Sequence, residues 1–153
     1  MKQLKRILLV EDNQNDIEMT LEALSEYNLA NEIVVTRDGA EALDYLYRRS
    51  NFKLRSEGNP AVILLDLKMP KVDGFEVLKQ VKADNNLKNI PVVLLTSSKE
   101  EKDLIESYRL GTNAYVVKPV GFKDFVEAIK CLGAFWAVLN EPPVGDQRKE
   151  HKL

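Results

Sequence analysis

Five short apolar runs, separated by longer amphipathic stretches, constrain the fold of this chain more than any other feature. The runs are rich in β-branched residues and almost free of polar interruptions, which is typical of strands buried on both faces. They cover residues 7–10, 33–35, 62–65, 92–95 and 114–117. The alternation therefore predicts a series of strands joined by helices.

The stretches between the runs carry apolar residues at intervals of three and four, as Ile17, Leu21 and Leu24 do, which predicts helices. Asn13 or Asp16 is the expected N-cap of the first helix, Asp38 of the second and Ser98 of the fourth. Five βα units in series predict an α/β fold with a parallel sheet and helices on both faces. At this length the flavodoxin-like strand order 2-1-3-4-5 is the natural arrangement.

Composition limits the possible classes of protein. The 153 residues suit one domain, and 22 Lys and Arg against 24 Asp and Glu argue against a general binder of nucleic acid or anionic membranes. No apolar run approaches the roughly 18 residues of a membrane span, so we expect a cytoplasmic protein. We expect a domain over residues 4–139 and a polar tail over 140–153. The polar segment 50–60 is an extra loop whose role stays open.

The first, third, fourth and fifth predicted strands each end in a carboxylate, a hydroxyl or an ammonium group. Because parallel strands end at one edge of a sheet, these side chains should meet in one crevice. Carboxylates that share a site without His or Cys suit a hard cation, Mg²⁺ or Mn²⁺. A lysine and a hydroxyl beside them suit phosphoryl oxygens. The residues concerned are Glu11 and Asp12 after the first strand, Asp66 after the third, Thr96 after the fourth and Lys118 after the fifth.

The chemistry expected of this crevice is phosphoryl transfer to a carboxylate. Asp66 ends the central strand of the predicted order, and a carboxylate can attack phosphorus to form an acyl phosphate. The ordered set of motifs resembles the response-regulator receiver family of two-component signalling, with its CheY-like fold, over residues 5 to 137. The motifs are Glu11-Asp12, Asp66, residues 69–74 (MPKVDG), Thr96, Gly111 with Ala114, and Lys118-Pro119.

The resemblance implies a role for each matching residue in the crevice. Glu11 and Asp12 hold Mg²⁺ together with Asp66 and the backbone carbonyl of Lys68. Asp66 accepts a phosphoryl group from the histidine of a sensor kinase. The roles implied for the remaining residues are contacts to phosphoryl oxygens for Lys118 and Thr96, a cis peptide at Lys118-Pro119, and a switch aromatic at Tyr115 that turns inward as Thr96 closes.

The resemblance also implies how such a protein signals. The face of the predicted fourth helix, fifth strand and fifth helix would change its protein contacts on phosphorylation. Segment 50–60 and a last helix that ends with residues 134–137 (AFWA) are similar to those of single-domain regulators paired with bacterial phytochrome histidine kinases. The surplus of apolar residues at the end of that helix predicts a homodimer.

Two other functions compete with this one. A phosphatase of the haloacid-dehalogenase type also uses an aspartate nucleophile, but it needs a second Asp two residues later, where this chain has Lys68. A degenerate receiver that acts only as a scaffold would lack one of the site residues, and none is missing. The side chain of Lys68 should lie over the site entrance and tune the lifetime of the phosphorylated state.

Overall fold

One parallel sheet organises the molecule, and its strand order is β2-β1-β3-β4-β5. The computed structural model describes residues 6–25, 32–69, 71–97 and 114–131. The five strands are β1 (Ile7–Val10), β2 (Ile33–Thr36), β3 (Val62–Asp66), β4 (Val92–Thr96) and β5 (Ala114–Val117). The predicted strands and the predicted order are confirmed.

Four α-helices are described, namely α1 (Gln14–Leu24), α2 (Gly39–Tyr47), α3 (Gly74–Ala83) and α4 (Phe122–Cys131). Asn13 caps α1 by accepting a hydrogen bond from the backbone N–H of Asp16, and Asp38 caps α2 through Glu41 N–H. The helix α4 is the predicted fifth helix. No helix among the described residues is long and apolar enough to cross a membrane. The predicted fourth helix with its Ser98 cap, Gly111, Phe135-Trp136 and the tail 140–153 lie outside the described residues.

Each face of the sheet carries its own apolar core. Residues alternate along a strand, so Ile7 and Leu9 pack with α1 and α4, while Leu8 and Val10 pack with α2 and α3. All four are at most 1% exposed. Burial on both faces is the reason that these strands read as unbroken apolar runs. Because both faces must stay buried, each strand keeps one alignment with its neighbours. This alignment sets the positions of the residues that follow the strands.

The segment after α2, predicted as a polar loop, is more ordered than its composition suggests. It contains a 3-10 turn, Ser50–Phe52, and the ring of Phe52 packs edge-on against Tyr45 with centroids 5.2 Å apart. The guanidinium of Arg55 stacks 4.2 Å over the Tyr45 ring and donates to the carbonyls of Tyr45, Leu46, Glu57 and Gly58. Arg48 also donates to the carbonyls of Arg55 and Glu57, so two arginines bond the carbonyls of this segment and of the end of α2.

Candidate phosphoryl-acceptor site

The carboxyl ends of four strands lie level with one another. The register pairs Val10 with Leu65, Asp66 with Leu95, and Thr96 with Val117. Glu11 and Asp12 directly follow β1, and Lys118 directly follows β5, so all these residues are at one edge of the sheet. The predicted convergence of the strand ends is present in the structure.

Three carboxylates form the acidic part of the site. Glu11, Asp12 and Asp66 each offer an oxygen, and these oxygens all lie within 4.8 Å of one another. Glu11 is fully buried and Asp66 is nearly so, whereas Asp12 is exposed. An all-oxygen donor set that is open on one side fits a hard divalent cation that keeps some of its waters. Without a cation, the mutual repulsion of these groups is only partly relieved.

Lys118 supplies the positive charge of the site. Its ammonium donates to Glu11 Oε1 at 3.0 Å and to Asp16 Oδ2 at 2.9 Å, and it lies 3.3 Å from Asp66 Oδ1. Its backbone N–H donates to the carbonyl of Thr96 at 2.8 Å, and the Lys118-Pro119 peptide is cis, as the resemblance implied. The end of β5 is thus tied to the end of β4, and the lysine side chain reaches across the sheet edge.

The electrostatics of the site follow from this packing. Burial, together with the charge of Asp66, raises the pKa of Glu11 to about 7, although Lys118 opposes the change. Burial also raises the pKa of Asp66 against the opposing effect of Lys118. Burial works against the Lys118 ammonium, but the carboxylates of Asp16, Asp66 and Glu11 outweigh it and raise its pKa. Burial and mutual repulsion thus disfavour the ionised carboxylates, and binding of a cation beside them would relieve both effects.

Asp16 is a member of this site that the sequence reasoning missed. The sequence offered it as a possible helix cap, but Asn13 is the cap, and the Asp16 carboxylate pairs with Lys118 instead. A signal for this contact is present in the sequence, because Asp16 is in the first turn of the helix that begins just after β1 ends, at the same sheet edge. Sequence alone did not show that β5 delivers Lys118 to that turn.

The other predicted residues lie around the acidic cluster. Thr96 is 3% exposed at the end of β4, next to Asp66 in the strand order. Lys68 is exposed two residues after Asp66, which agrees with a place at the entrance. Tyr115 is 37% exposed on the edge strand β5 and lines a cavity of about 450 Å³ between β5 and α4. The roles of these three residues stay predictions.

The loop between β3 and α3 is held by backbone contacts. Leu67 N–H donates to Leu95 O, and Gly74 N–H donates to Leu67 O at 3.0 Å. A Cβ on Gly74 would lie 2.3 Å from the carbonyl oxygen of Asp66, so no other residue fits without moving the backbone. Lys71 has a φ of 64° and pairs with Asp38 at 3.4 Å. This loop therefore fixes Asp66 through close backbone packing.

Comparison with known proteins identifies the family. The model of the response regulator receiver domain matches residues 7–130. The chain belongs to the response regulator receiver family. Receiver-domain response regulators are signalling proteins and not conventional enzymes, so the family match disfavours the phosphatase reading. It is consistent with a phosphoacceptor role for the acidic site.

Similar receivers come from phytochrome signalling. The bacteriophytochrome response regulator RtBRR is 62% identical, with a TM-score of 0.81, over 98% of this chain and 90% of its own. AtBRR, another bacteriophytochrome response regulator, is 61% identical, with a TM-score of 0.82, over 92% of this chain and all of its own.

A curated relative is the response regulator Rcp1 of Synechocystis sp., 39% identical over 86% of this chain and 88% of its own. An Rcp1 structure with bound Mn²⁺ is 38% identical to this receiver, with a TM-score of 0.72, and covers 92% of this chain and 100% of its own. The predicted resemblance to phytochrome-associated regulators is confirmed. The acidic cluster and the Mn²⁺-bound relative together support a divalent cation site.

Proposed function

We propose that this receiver accepts a phosphoryl group on Asp66 from a sensor histidine kinase in a Mg²⁺-dependent reaction. The observation that carries the proposal is the convergence of Glu11, Asp12 and Asp66 within 4.8 Å, with the Lys118 ammonium 3.3 Å from Asp66. A nucleophile, ligands for a cation and a positive charge for phosphoryl oxygens are the parts that phosphoryl transfer requires.

In the proposed reaction an oxygen of the Asp66 carboxylate attacks phosphorus and forms a new P–O bond. The P–N bond to the kinase imidazole breaks, and its electron pair leaves with the imidazole nitrogen. Lys118 and the hydroxyl of Thr96 contact phosphoryl oxygens and stabilise their charge. Hydrolysis of the aspartyl phosphate belongs to the same proposal: water attacks phosphorus, the P–O bond to Asp66 breaks, and inorganic phosphate leaves. The Lys68 side chain would tune the rate of this step.

Glu11, Asp12, Asp66 and the backbone carbonyl of Lys68 are the proposed ligands of the cation. A bound Mg²⁺ supplies neutralisation of the phosphoryl charge and a template for its oxygens. Oxygen ligands with open water positions suit both Mg²⁺ and Mn²⁺. We favour Mg²⁺ because it is the usual partner of phosphate. The Mn²⁺-bound form of Rcp1 supports a divalent ion rather than Mg²⁺ in particular.

The proposed output is a change in protein contacts. Thr96 would close on the phosphoryl group and Tyr115 would turn inward from its exposed position, altering the face that β5, α4 and the predicted fourth helix form. The phosphoryl group would shift the equilibrium between the open and closed conformations because it makes contacts in one conformation that it does not make in the other. We propose that this face binds a second copy of the chain to form a homodimer, and that signalling uses protein contacts rather than nucleic acid.

The partner and the boundaries are also proposals. The likeness to RtBRR and AtBRR supports a bacterial phytochrome histidine kinase as the phosphoryl donor, and a cytoplasmic location follows from such a donor. We retain a receiver domain over residues 4–139 and a tail over 140–153. The test is transfer of labelled phosphate from a panel of purified phytochrome kinases, with non-phytochrome kinases as the matched comparison.

The phosphoacceptor itself is tested with a small donor. The full chain is incubated with acetyl phosphate and Mg²⁺, and its intact mass is measured. We expect a gain of one phosphoryl group that disappears with a chelator and in Asp66→Asn, while Asp73→Asn, which changes an Asp in the next loop, keeps it. A mass gain in Asp66→Asn equal to that of the unaltered protein would contradict the assignment, and no gain at all would favour the scaffold hypothesis.

A further inference from the structure

Three carboxylates share the ammonium of Lys118, and they differ in their access to water. The side chain of Glu11 is 0% exposed, that of Asp66 is 6% exposed and that of Asp16 is 29% exposed. An ammonium has three N–H donors. The Lys118 ammonium is hydrogen-bonded to Glu11 and Asp16 and lies 3.3 Å from Asp66, so a further acceptor would compete with these partners.

The proposed phosphoryl group is such a further acceptor, and burial decides which partner is released. Glu11 has no access to water, so water cannot take the place of the ammonium at its carboxylate. The group that Asp66 carries is the new acceptor itself. Asp16 is partly exposed, so water can replace the ammonium at its carboxylate at small cost. The Asp16 contact is therefore the easiest of the three to exchange.

We infer that Asp16 is a positioning residue that holds Lys118 in the unphosphorylated state and competes with the phosphoryl group for its ammonium. This inference rests on the proposed function of Asp66. Two effects of Asp16 have the same sign, since its carboxylate both occupies a donor of Lys118 and places a negative charge near an incoming anion. Removal of that charge should therefore strengthen the binding of a phosphoryl group or of its mimic.

The size of the effect follows from the exposure of the pair. Partly exposed ion pairs contribute a small free energy, which converts to a change in affinity of about two- to fivefold. We expect Asp16→Asn to bind beryllofluoride, a mimic of the phosphoryl group, about two- to fivefold more tightly than the unaltered protein. Asp16→Glu, which keeps the charge, should stay near the unaltered affinity.

The experiment is a calorimetric titration of the full chain with beryllofluoride at saturating Mg²⁺. The matched control is Glu18→Gln, which removes an equal charge from the exposed surface of α1, where Glu18 contacts Gln14 rather than Lys118. This control should leave the affinity unchanged. Equal or weaker binding by Asp16→Asn, or an equal gain in Glu18→Gln, overturns the inference. If the unaltered protein fails to bind, the proposed function fails first, so the two failures are distinguishable.

A second measurement reports on the ammonium directly. The ¹⁵N resonance of the Lys118 side chain should change in unliganded Asp16→Asn, because a contact of 2.9 Å is lost, and it should not change in Glu18→Gln. With beryllofluoride bound, the resonances of Asp16→Asn and the unaltered protein should coincide, since the contact is absent from both. A difference that persists in the bound proteins would show that Asp16 keeps Lys118 throughout, and the inference would be wrong.

Discussion

The raised pKa of Glu11 makes the stability of the cation-free protein depend on pH in an unusual direction. Burial and the neighbouring Asp66 raise this pKa from 4.5 to about 7. Between these two values the folded protein binds a proton that the unfolded chain does not bind. The free energy of unfolding therefore falls as pH rises through this window and levels off above it.

The magnitude follows from the size of the change. A rise from 4.5 to about 7 corresponds to about 3 kcal/mol of lost stability once Glu11 is fully ionised. The raised pKa of Asp66 acts in the same direction, whereas the raised pKa of Lys118 acts only at alkaline pH. A divalent cation should remove most of this loss, because it stabilises the ionised carboxylates.

The assay is urea unfolding, followed by circular dichroism in the presence of a chelator, between about pH 5 and pH 8. We expect the unaltered protein to lose stability across this range, and Glu11→Gln to lose much less because it has no proton to release. Added Mg²⁺ should stabilise the unaltered protein more at the upper pH than at the lower. If the unaltered protein and Glu11→Gln show the same pH dependence, or if stability rises with pH, the reasoning is refuted.

Three further predictions concern packing. Gly74→Ala should destabilise the fold by about 2 kcal/mol and impair phosphorylation, because its Cβ would meet the Asp66 carbonyl. Gly58→Ala, whose Cβ would have no atom within 4 Å, should do neither. Equal melting temperatures for the two variants would contradict this prediction. Phe125→Ala should cost about 3–5 kcal/mol in chemical unfolding, since Phe125 is 0% exposed, while the exposed Lys123→Ala should cost little. Arg55→Ala should open the segment after α2 to limited proteolysis, and an unchanged cleavage rate would show that its carbonyl contacts are dispensable.

The fold was predictable from local pattern because its strands are buried on both faces. Runs such as 62–65 and 92–95 have no polar residue that could face water, so they permit few alternatives to a parallel sheet covered by helices. The cap at Asp38 was also predictable and the first cap was limited to Asn13 or Asp16, since an N-cap depends on residues within one turn. The conformation of segment 48–58 was not predictable, because it depends on hydrogen bonds that Arg55 donates to carbonyls across the loop.

The sequence by itself determined which chemical groups stand at the ends of the strands. Polar residues end the apolar runs, and parallel strands end at one edge, so Glu11, Asp12, Asp66 and Lys118 could be assigned to one crevice. Only the tertiary structure decided how these groups share charge. Burial of Glu11 raises its pKa, and Asp16 pairs with Lys118, which is 102 positions away in the chain. Distances and desolvation across such separations depend on packing, which no local pattern encodes.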